Sequence, residues 1–217
     1  MERELESAKI ELSLKPDFNL LDAFKMIDLN NKGWVSFAEL CEVLSRLFDI
    51  DSCTLSGREL LDLVFKRYDS NRDQKLSLAE FCKAFTPAGK EYGALVQGRA
   101  EFYSKRGINP MDFFNSDTRR EIRTLWEVLI HTEKMTERLR HKLADRPLFN
   151  MRAAFKYVDK DQNGAITHLD LRDSLVSHGF YATEKEIQLI MNKFDKFSDN
   201  KITMTDFIDE LVPKTRG

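Results

Sequence analysis

The chain has few of the features that mark secreted, membrane-inserted or lipid-anchored proteins. Its 217 residues hold three cysteines, no CxxC pair and no run of 18 apolar residues. Scattered, odd-numbered thiols predict reduced cysteines inside a cell, and the lack of a long apolar run predicts no transmembrane helix. The N-terminus has no apolar signal-peptide core and carries Glu2 where myristoylation requires glycine, so we expect neither a leader nor a lipid anchor.

Charge imbalance and catalytic motifs are equally scarce. Lysine and arginine number 34 against 36 acidic residues, and the resulting net charge of −2 predicts neither a nucleic-acid partner nor insertion into a membrane. The four histidines show no paired metal spacing, and the sequence has no glycine-rich phosphate loop and no Ser-His-Asp or Cys-His arrangement. We therefore expect a protein that is not an enzyme.

What the sequence does contain is a repeat. DLNNKGWVSFAELCEVL, which begins at Asp28, aligns without gaps to DSNRDQKLSLAEFCKAF, which begins at Asp69. DKDQNGAITHLDLRDSL from Asp159 aligns in the same way to DKFSDNKITMTDFIDEL from Asp195. Apolar residues at helical spacing precede and follow each copy, so the sequence predicts helix, twelve-residue loop and helix four times, in two pairs.

A long segment separates the two pairs. From about 117 to 144 it contains no glycine or proline and carries an apolar stripe of Ile122, Leu125, Trp126 and Leu129, which predicts one long helix. Three fates are open for this stripe: packing on the chain's own lobes, covering a lobe's groove from within, or binding a partner. The two internal fates are favoured.

The four repeats resemble EF-hands, and their layout resembles the two-lobed proteins of the calmodulin and centrin type. Such a loop holds a divalent cation with side-chain oxygens at positions 1, 3, 5, 9 and 12 and a backbone carbonyl at position 7, around a tight turn at position 6. The resemblance implies an all-α fold of two EF-hand pairs joined by a long helical linker. Its parts are expected at 1–15 (N-terminal arm), 16–88 (first pair), 89–148 (connector) and 149–217 (second pair).

Two of the four loops keep a complete ligand set. The implied metal ligands are Asp69, Asn71, Asp73, Lys75, Ser77 and Glu80 in loop 2, and Asp159, Asp161, Asn163, Ala165, Thr167 and Asp170 in loop 3. Lys75 and Ala165 would contribute only their backbone carbonyls. Gln74 stands where loop 2 needs positive φ, at a cost on the order of 1 kcal/mol. Asp170 is one methylene shorter than the usual glutamate, which moves loop 3 towards Mg²⁺ or weaker Ca²⁺ binding.

Loops 1 and 4 are expected to bind no ion. Lys32 puts an ammonium at position 5 of loop 1, where a ligand belongs, and its flexible stem could swing out to solvent with water in its place. Phe197 stands at position 3 of loop 4, and Asn200 replaces the glycine at position 6. Both loops keep their helices and the aliphatic residue at position 8, so their predicted role is to pair with the intact loop of the same lobe. The residues expected to form this bridge are Val35, Leu76, Ile166 and Ile202.

These observations leave two functions open. The first is a non-enzymatic, calcium- or divalent-ion-binding adaptor or regulatory subunit that docks on a protein partner through its lobe grooves or its connector helix. The second is a largely calcium-independent structural subunit of a cytoskeletal or ciliary, microtubule-associated assembly. The expected cofactor is Ca²⁺, with Mg²⁺ as an alternative at 159–170. The expected location is the cytoplasm, at the cytoskeleton or the ciliary axoneme under the second function.

Overall fold

The computed structural model describes residues 1–51, 54–196 and 199–215, and nearly all of its regular structure is helical. The helices are α1 (Glu2–Ser13), α2 (Leu20–Lys25), α3 (Phe37–Phe48), α4 (Leu55–Tyr68), α5 (Leu78–Phe85), α6 (Lys90–Gln97), α7 (Ser116–Ala144), α8 (Met151–Val158), α9 (His168–Ser177), α10 (Glu184–Phe194) and α11 (Met204–Leu211). Two short 3-10 turns, Ser104–Arg106 and Pro110–Asp112, lie between α6 and α7. The predicted all-α class, with helix–loop–helix pairs joined by a long helix, is confirmed.

Two short antiparallel bridges join the loops in pairs. The strands are β1 (Trp34–Ser36), β2 (Lys75–Ser77), β3 (Ala165–Ile166) and β4 (Ile202–Thr203). Val35 lies opposite Leu76, and Ile166 lies opposite Ile202. All four of these side chains are buried, so the bridge is stabilised mainly by apolar packing across the strands. The predicted pairing through position 8 is confirmed.

Capping side chains decide where the helices that leave the loops begin. Each of α3, α5, α9 and α11 starts with a capping box, in which a Ser or Thr oxygen accepts the backbone amide three residues on, and a Glu or Asp there accepts the amide of the cap. The pairs are Ser36 with Glu39, Ser77 with Glu80, Thr167 with Asp170, and Thr203 with Asp206. These are positions 9 and 12 of each loop, so the same two residues serve the loop and start the helix.

Contacts divide the chain into two compact units, and the division falls inside α7. The first unit is Met1 with residues 3–134, and the second is Glu2 with residues 135–217. Most of the segment set apart in the sequence as an arm and a connector therefore belongs to the first unit. The four domain boundaries drawn from the sequence stay a prediction.

The core of the first unit draws on α1, α6 and α7 as well as on its two helix–loop–helix pieces. Leu12 of α1 and Val96 of α6 are buried in it. The stripe of α7 is buried there too, through Ile122, Leu125, Trp126 and Leu129. Trp126 packs edge-on against Phe85 of α5, with ring centroids 5.3 Å apart. The stripe thus packs within the chain's own first unit and presents no surface to a partner.

Asp22 of α2 anchors the irregular segment between α6 and α7. Its buried carboxylate accepts the backbone amides of Phe102 at 2.8 Å, Tyr103 at 3.0 Å and Ser104 at 3.0 Å, and the Ser104 hydroxyl at 2.6 Å. Burial alone would raise the pKa of Asp22, but these donors lower the pKa to about 2. A single carboxylate therefore satisfies three consecutive amides of a segment that contains no α-helix or strand.

The core of the second unit is smaller. Its buried residues are Phe155, Ile166, Ile187, Met191, Ile202 and Phe207. Phe207 packs against Phe155, with ring centroids 5.6 Å apart. Arg140, near the end of α7, is buried and pairs with Glu137 at 3.0 Å and with Glu210 of α11 at 2.9 Å. Since a buried charge is stable only with such partners, this network fixes the last turns of α7 against α11.

Two of the three cysteines lie in the described part of the chain. Cys41 is buried, and Cys82 is half-buried at a place where burial raises the pKa of its thiol. Cys53 lies outside the described residues. Within the residues that the structure describes, no helix is both long and apolar enough to cross a bilayer.

Replacing Asp22 by Asn should destabilise the first unit by about 2 kcal/mol near neutral pH, because the amide accepts fewer of the hydrogen bonds that the carboxylate accepts. The pKa of Asp22 is lowered on folding, so its contribution is present above about pH 4 and is lost as the pH falls towards about 2. Denaturant unfolding of both proteins should show a stability difference that narrows on acidification. The exposed Asp112→Asn is the matched control, and a difference that stays constant between neutral and acidic pH would contradict this assignment.

Candidate metal centres

Position 6 of every loop adopts the left-handed turn that an ion-binding loop needs. The φ angles are 80° at Gly33, 62° at Gln74, 88° at Gly164 and 61° at Asn200. The positive φ predicted for Gln74 is confirmed, and Asn200 shares this conformation, which is strained for a residue with a side chain. All four loops therefore turn in the same way, whatever their ligands.

The carboxylate at position 1 holds each turn together. In loop 2, Asp69 accepts the backbone amides of Asp73 at 3.1 Å and Gln74 at 2.9 Å. In loop 3, Asp159 accepts the equivalent amides at 3.2 and 3.0 Å. Because the turn forms from the chain's own hydrogen bonds, an ion that binds there has less backbone entropy to remove.

The side chains at positions 3 and 5 are also tied to the turn. In loop 2, the Asn71 carboxamide oxygen accepts the amide of Asp73 at 3.1 Å, and Asp73 accepts the amide of Lys75 at 2.9 Å. In loop 3 the same pattern runs through Asp161, Asn163 and Ala165: Asp161 accepts at 3.1 Å and Asn163 accepts at 2.9 Å. These oxygens keep further lone pairs, so the hydrogen bonds of the turn leave each of them able to accept another partner.

Glu80, the predicted ligand at position 12 of loop 2, is held by backbone and hydroxyl donors. One carboxylate oxygen accepts the Ser77 hydroxyl at 2.7 Å and the Ser77 amide at 3.0 Å. The other accepts the amide of Ser70 at 2.8 Å. Both oxygens are therefore engaged by donors of the loop and of the helix cap, and an ion would compete with them for Glu80.

Asp170 caps α9 in the same way despite its shorter side chain. One oxygen accepts the Thr167 hydroxyl at 2.6 Å and the Thr167 amide at 2.9 Å. Burial alone would raise the pKa of Asp170, but the donors of Thr167 and the amide of Lys160 lower it. The lost methylene thus leaves the cap intact, and its effect is confined to how far the carboxylate reaches into the loop.

Within each of loops 2 and 3, the side chains of the predicted ligands do not converge on one point. Across the ranges 1–51, 54–196 and 199–215, no group of three or more His, Cys, Asp or Glu side chains is close enough to hold an ion. The donor chemistry fits a hard divalent ion, since each loop offers three carboxylates, one carboxamide oxygen, one hydroxyl and one backbone carbonyl. Which residues ligate an ion stays a prediction.

In loop 1 the ammonium lies at the position of a ligand and not in solvent, the alternative that its flexible stem left open. Lys32 donates to both carboxylate oxygens of Glu39, at 2.6 and 2.7 Å. The Lys32 ammonium is the main cause that lowers the pKa of Glu39 to about 2. The physical reason is that the loop folds the position-12 carboxylate towards position 5, and a cation there is attracted to it.

Loop 4 is folded like the others at its two ends. Asp195 accepts the amides of Asp199 at 3.3 Å and Asn200 at 2.8 Å. Asp206 is buried and accepts the Thr203 hydroxyl at 2.6 Å. Phe197, on which the expectation of no binding mainly rested, lies outside the described residues.

Two features of the structure were not predicted from the sequence. The Ser/Thr-x-x-Glu/Asp spacing at positions 9 and 12 is a helix-start signature, and it could have shown that the position-12 ligand is also a cap. Asp22, a charged residue between Leu21 and Ala23 in an apolar helix, could have been recognised as buried and partnered. Its partners around residue 103 could not, because no local pattern links the two segments.

The comparison with known proteins matches two separate ranges of the chain, one in each EF-hand pair. A family model described as an EF-hand domain pair matches residues 17–86 and 149–211, together more than half of the chain. The chain belongs to the EF-hand family. Each matched range holds one EF-hand with a complete donor set and one with a substituted loop, and the substituted loop comes first in the first pair and second in the second pair.

Relatives of this EF-hand protein share part or most of its length. A myosin regulatory light chain of Physarum polycephalum is 28% identical over 153 residues, which are 68% of this chain and 88% of the relative. Calcium-binding protein 7 of Homo sapiens is 33% identical over 67 residues, 31% of each chain. Cell division control protein 31 of Schizosaccharomyces pombe is 30% identical over 76 residues, 35% of this chain and 43% of the relative. The chain thus spans less than half of the last two proteins.

Exchanging position-6 residues tests the strain at the EF-hand turn. Gln74→Gly should raise the free energy of unfolding by about 0.5–1 kcal/mol, because glycine adopts positive φ freely and this gain exceeds its entropy cost in the unfolded chain. Gly164→Gln should lower it by about 1 kcal/mol or more. Nothing lies within 4 Å of a Cβ built on Gly164, so no clash adds to that loss. Thermal unfolding in chelator measures both, and shifts of the same sign would contradict the prediction.

Proposed function

We propose that this chain is a non-enzymatic EF-hand adaptor or regulatory subunit that binds Ca²⁺ or Mg²⁺ in loops 2 and 3 and docks on a protein partner. The observation that carries the proposal is the pair of pre-folded loops with full donor sets, one in each EF-hand pair. The proposed ligands are the twelve residues named above, from Asp69 to Glu80 and from Asp159 to Asp170. The family match and the name of calcium-binding protein 7 support calcium as the ion.

Ion binding would affect the rest of the molecule through the residue at position 12. Glu80 and Asp170 each accept donors of a helix cap, and each would exchange part of that cap for a ligand bond. Because those caps start α5 and α9, the change would reach the first turn of a helix in each pair. Asp170 is the shorter of the two, so loop 3 is the better candidate for Mg²⁺ or for weak Ca²⁺ binding.

The second unit is the better docking surface. The apolar stripe of α7 is buried in the first unit, so the connector helix offers a partner little apolar surface before residue 135. In the second unit, Leu148, Phe180 and Tyr181 are exposed by 97%, 65% and 83%. We take these exposed side chains as the apolar contacts that a protein partner would cover. The relative of which the chain covers 88% is named a regulatory light chain of myosin, which supports a subunit role on a larger protein.

A second function is favoured by the hydrogen bonds that each loop makes within itself. All four position-12 carboxylates cap a helix, and all four turns are formed. A largely calcium-independent structural subunit of a cytoskeletal or ciliary assembly would need no more than this. A cytoplasmic location, at the cytoskeleton or the axoneme under this second function, belongs to the same proposal.

Calorimetric titration with Ca²⁺ and with Mg²⁺, followed by a hydrophobic dye, distinguishes the two functions. The adaptor proposal predicts one ion in loop 2 and one in loop 3, with roughly micromolar Ca²⁺ affinity in at least one of them and an increase in dye signal. Asp69→Ala and Asp159→Ala should each remove one binding event, whereas the exposed Asp145→Ala should remove none. Binding that survives both loop substitutions would refute the site assignment, and an absence of heat from the unaltered chain would favour the structural subunit.

A further inference from the structure

The place of the ion in loop 1 is taken by a side chain of the loop itself. The Lys32 ammonium, at position 5, lies 2.6 and 2.7 Å from the two oxygens of Glu39, at position 12. The Asn30 carboxamide nitrogen, at position 3, donates to one of the same oxygens at 3.1 Å. Positions 3 and 5, which supply acceptors in a metal-binding loop, therefore supply donors that converge on the position-12 carboxylate.

The ammonium has a second partner in the ring of Trp34. Lys32 Nζ lies 3.7 Å from the ring centroid of Trp34, and Lys75 Nζ of loop 2 lies 4.5 Å from the same ring. A cation over an indole face is attracted by the ring's electron density. Trp34 belongs to β1 and Lys75 to β2, so the ring connects the cation of loop 1 to the strand of loop 2.

We propose that the Lys32 ammonium is the resident cation of loop 1, so that this EF-hand is closed without metal and the first pair has one exchangeable ion site, in loop 2. The part of the proposal that concerns loop 1 stands whether or not loops 2 and 3 bind an ion, and only the exchangeable site in loop 2 rests on the proposed function.

The other loops show what the substitution changes. Their position-5 residues are Asp73, Asn163 and Asp199, all of which carry an acceptor oxygen. In loop 2, the oxygen of Glu80 that does not cap the helix accepts a backbone amide instead. In loop 1, by contrast, the charged side chain of Lys32 neutralises the position-12 carboxylate.

A tethered ammonium also has a kinetic and a concentration advantage over a free ion. Its covalent link to the loop gives it an effective concentration of about millimolar or more, and no rise or fall in ion concentration removes it. Lys32 and Glu39 are both partly shielded, with 30% and 27% of their side chains exposed, so water screens the pair only in part. A divalent ion that approached Asp28 and Glu39 would meet the repulsion of this charge.

The remaining residues of loop 1 would suit a metal if the ammonium were replaced. With Lys32→Asp the loop would offer Asp28, Asn30, the new carboxylate, Ser36 and Glu39, with Gly33 already at a φ of 80°. This is a full donor set around a relaxed turn. Lys32→Met is the matched control, because it removes the charge without adding a ligand.

The test uses the full chain carrying Asp69→Ala and Asp159→Ala, which silences the two loops of the proposed function. Terbium luminescence sensitised by Trp34, at position 7 of loop 1, reports binding beside that ring, and calorimetry with Ca²⁺ counts ions. We expect no binding in this background or with Lys32→Met, and one ion of roughly micromolar affinity with Lys32→Asp. Adding Trp34→Phe to the Lys32→Asp variant should remove the luminescence and keep the Ca²⁺ heat.

Thermal unfolding in chelator supplies a readout that does not depend on metal. Lys32→Met and Lys32→Asp should both unfold at a temperature lower by about 4 °C, and Ca²⁺ should restore only Lys32→Asp. The proposal is overturned if Lys32→Asp gains no ion while its unfolding remains cooperative, or if Lys32→Met is as stable as the parent. It is also overturned if the parent background binds an ion that Asp28→Ala removes, because loop 1 would then take metal in the presence of Lys32.

Discussion

The short antiparallel bridge between paired loops is the contact on which the other features depend. Val35 opposite Leu76, and Ile166 opposite Ile202, join each complete loop to a substituted one. A single helix–loop–helix leaves an apolar face without a partner, so a loop that loses its ligands is still needed for its helices and for its side of the bridge. This explains why loops 1 and 4 keep their turn and their helix cap although their ligand sets are incomplete.

Given that constraint, the structure shows two ways of keeping a loop closed. Loops 2 and 3 satisfy the position-12 carboxylate with backbone amides and a hydroxyl, which a divalent ion could replace. Loop 1 satisfies it with a lysine, which no change in ion concentration removes. On the proposed function, the same fold combines exchangeable cation positions in loops 2 and 3 with a fixed one in loop 1, and any response of the first pair to ions would arise in loop 2.

In the first unit, other segments of the same chain cover the apolar surface that a protein partner would otherwise be expected to cover. The stripe of α7 is buried beside Phe85, and Asp22 holds the segment around residue 103 by three backbone amides. The second unit has a small core and large exposed apolar residues, including Tyr181. The two EF-hand pairs are therefore alike in their loops and different in what covers them, which is why the proposed docking surface lies in the second unit.

The sequence predicts the local features well, since they depend on residues close together in the chain. The helix–loop–helix repeats, the bridge at position 8 and the positive φ of Gln74 all follow from twelve-residue patterns. The sequence left the orientation of Lys32 open, because side-chain flexibility was weighed without the attraction of Glu39 seven residues on. The anchoring by Asp22 spans about 80 residues and carries no local signal. The predicted ligand sets, and the effect of Phe197, stay predictions.

The central claim is that loops 2 and 3 exchange a cation and that loop 1 does not, and the position-6 amides test it most directly. Each donates to the position-1 carboxylate, at 2.7 Å in Gly33, 2.9 Å in Gln74, 3.0 Å in Gly164 and 2.8 Å in Asn200. When that carboxylate ligates an ion, the amide is polarised and its proton resonance moves downfield. In a Ca²⁺ titration followed by amide NMR, the account predicts such shifts at Gln74 and Gly164 and none at Gly33. A downfield shift at Gly33, or none at Gln74 and Gly164, would contradict it.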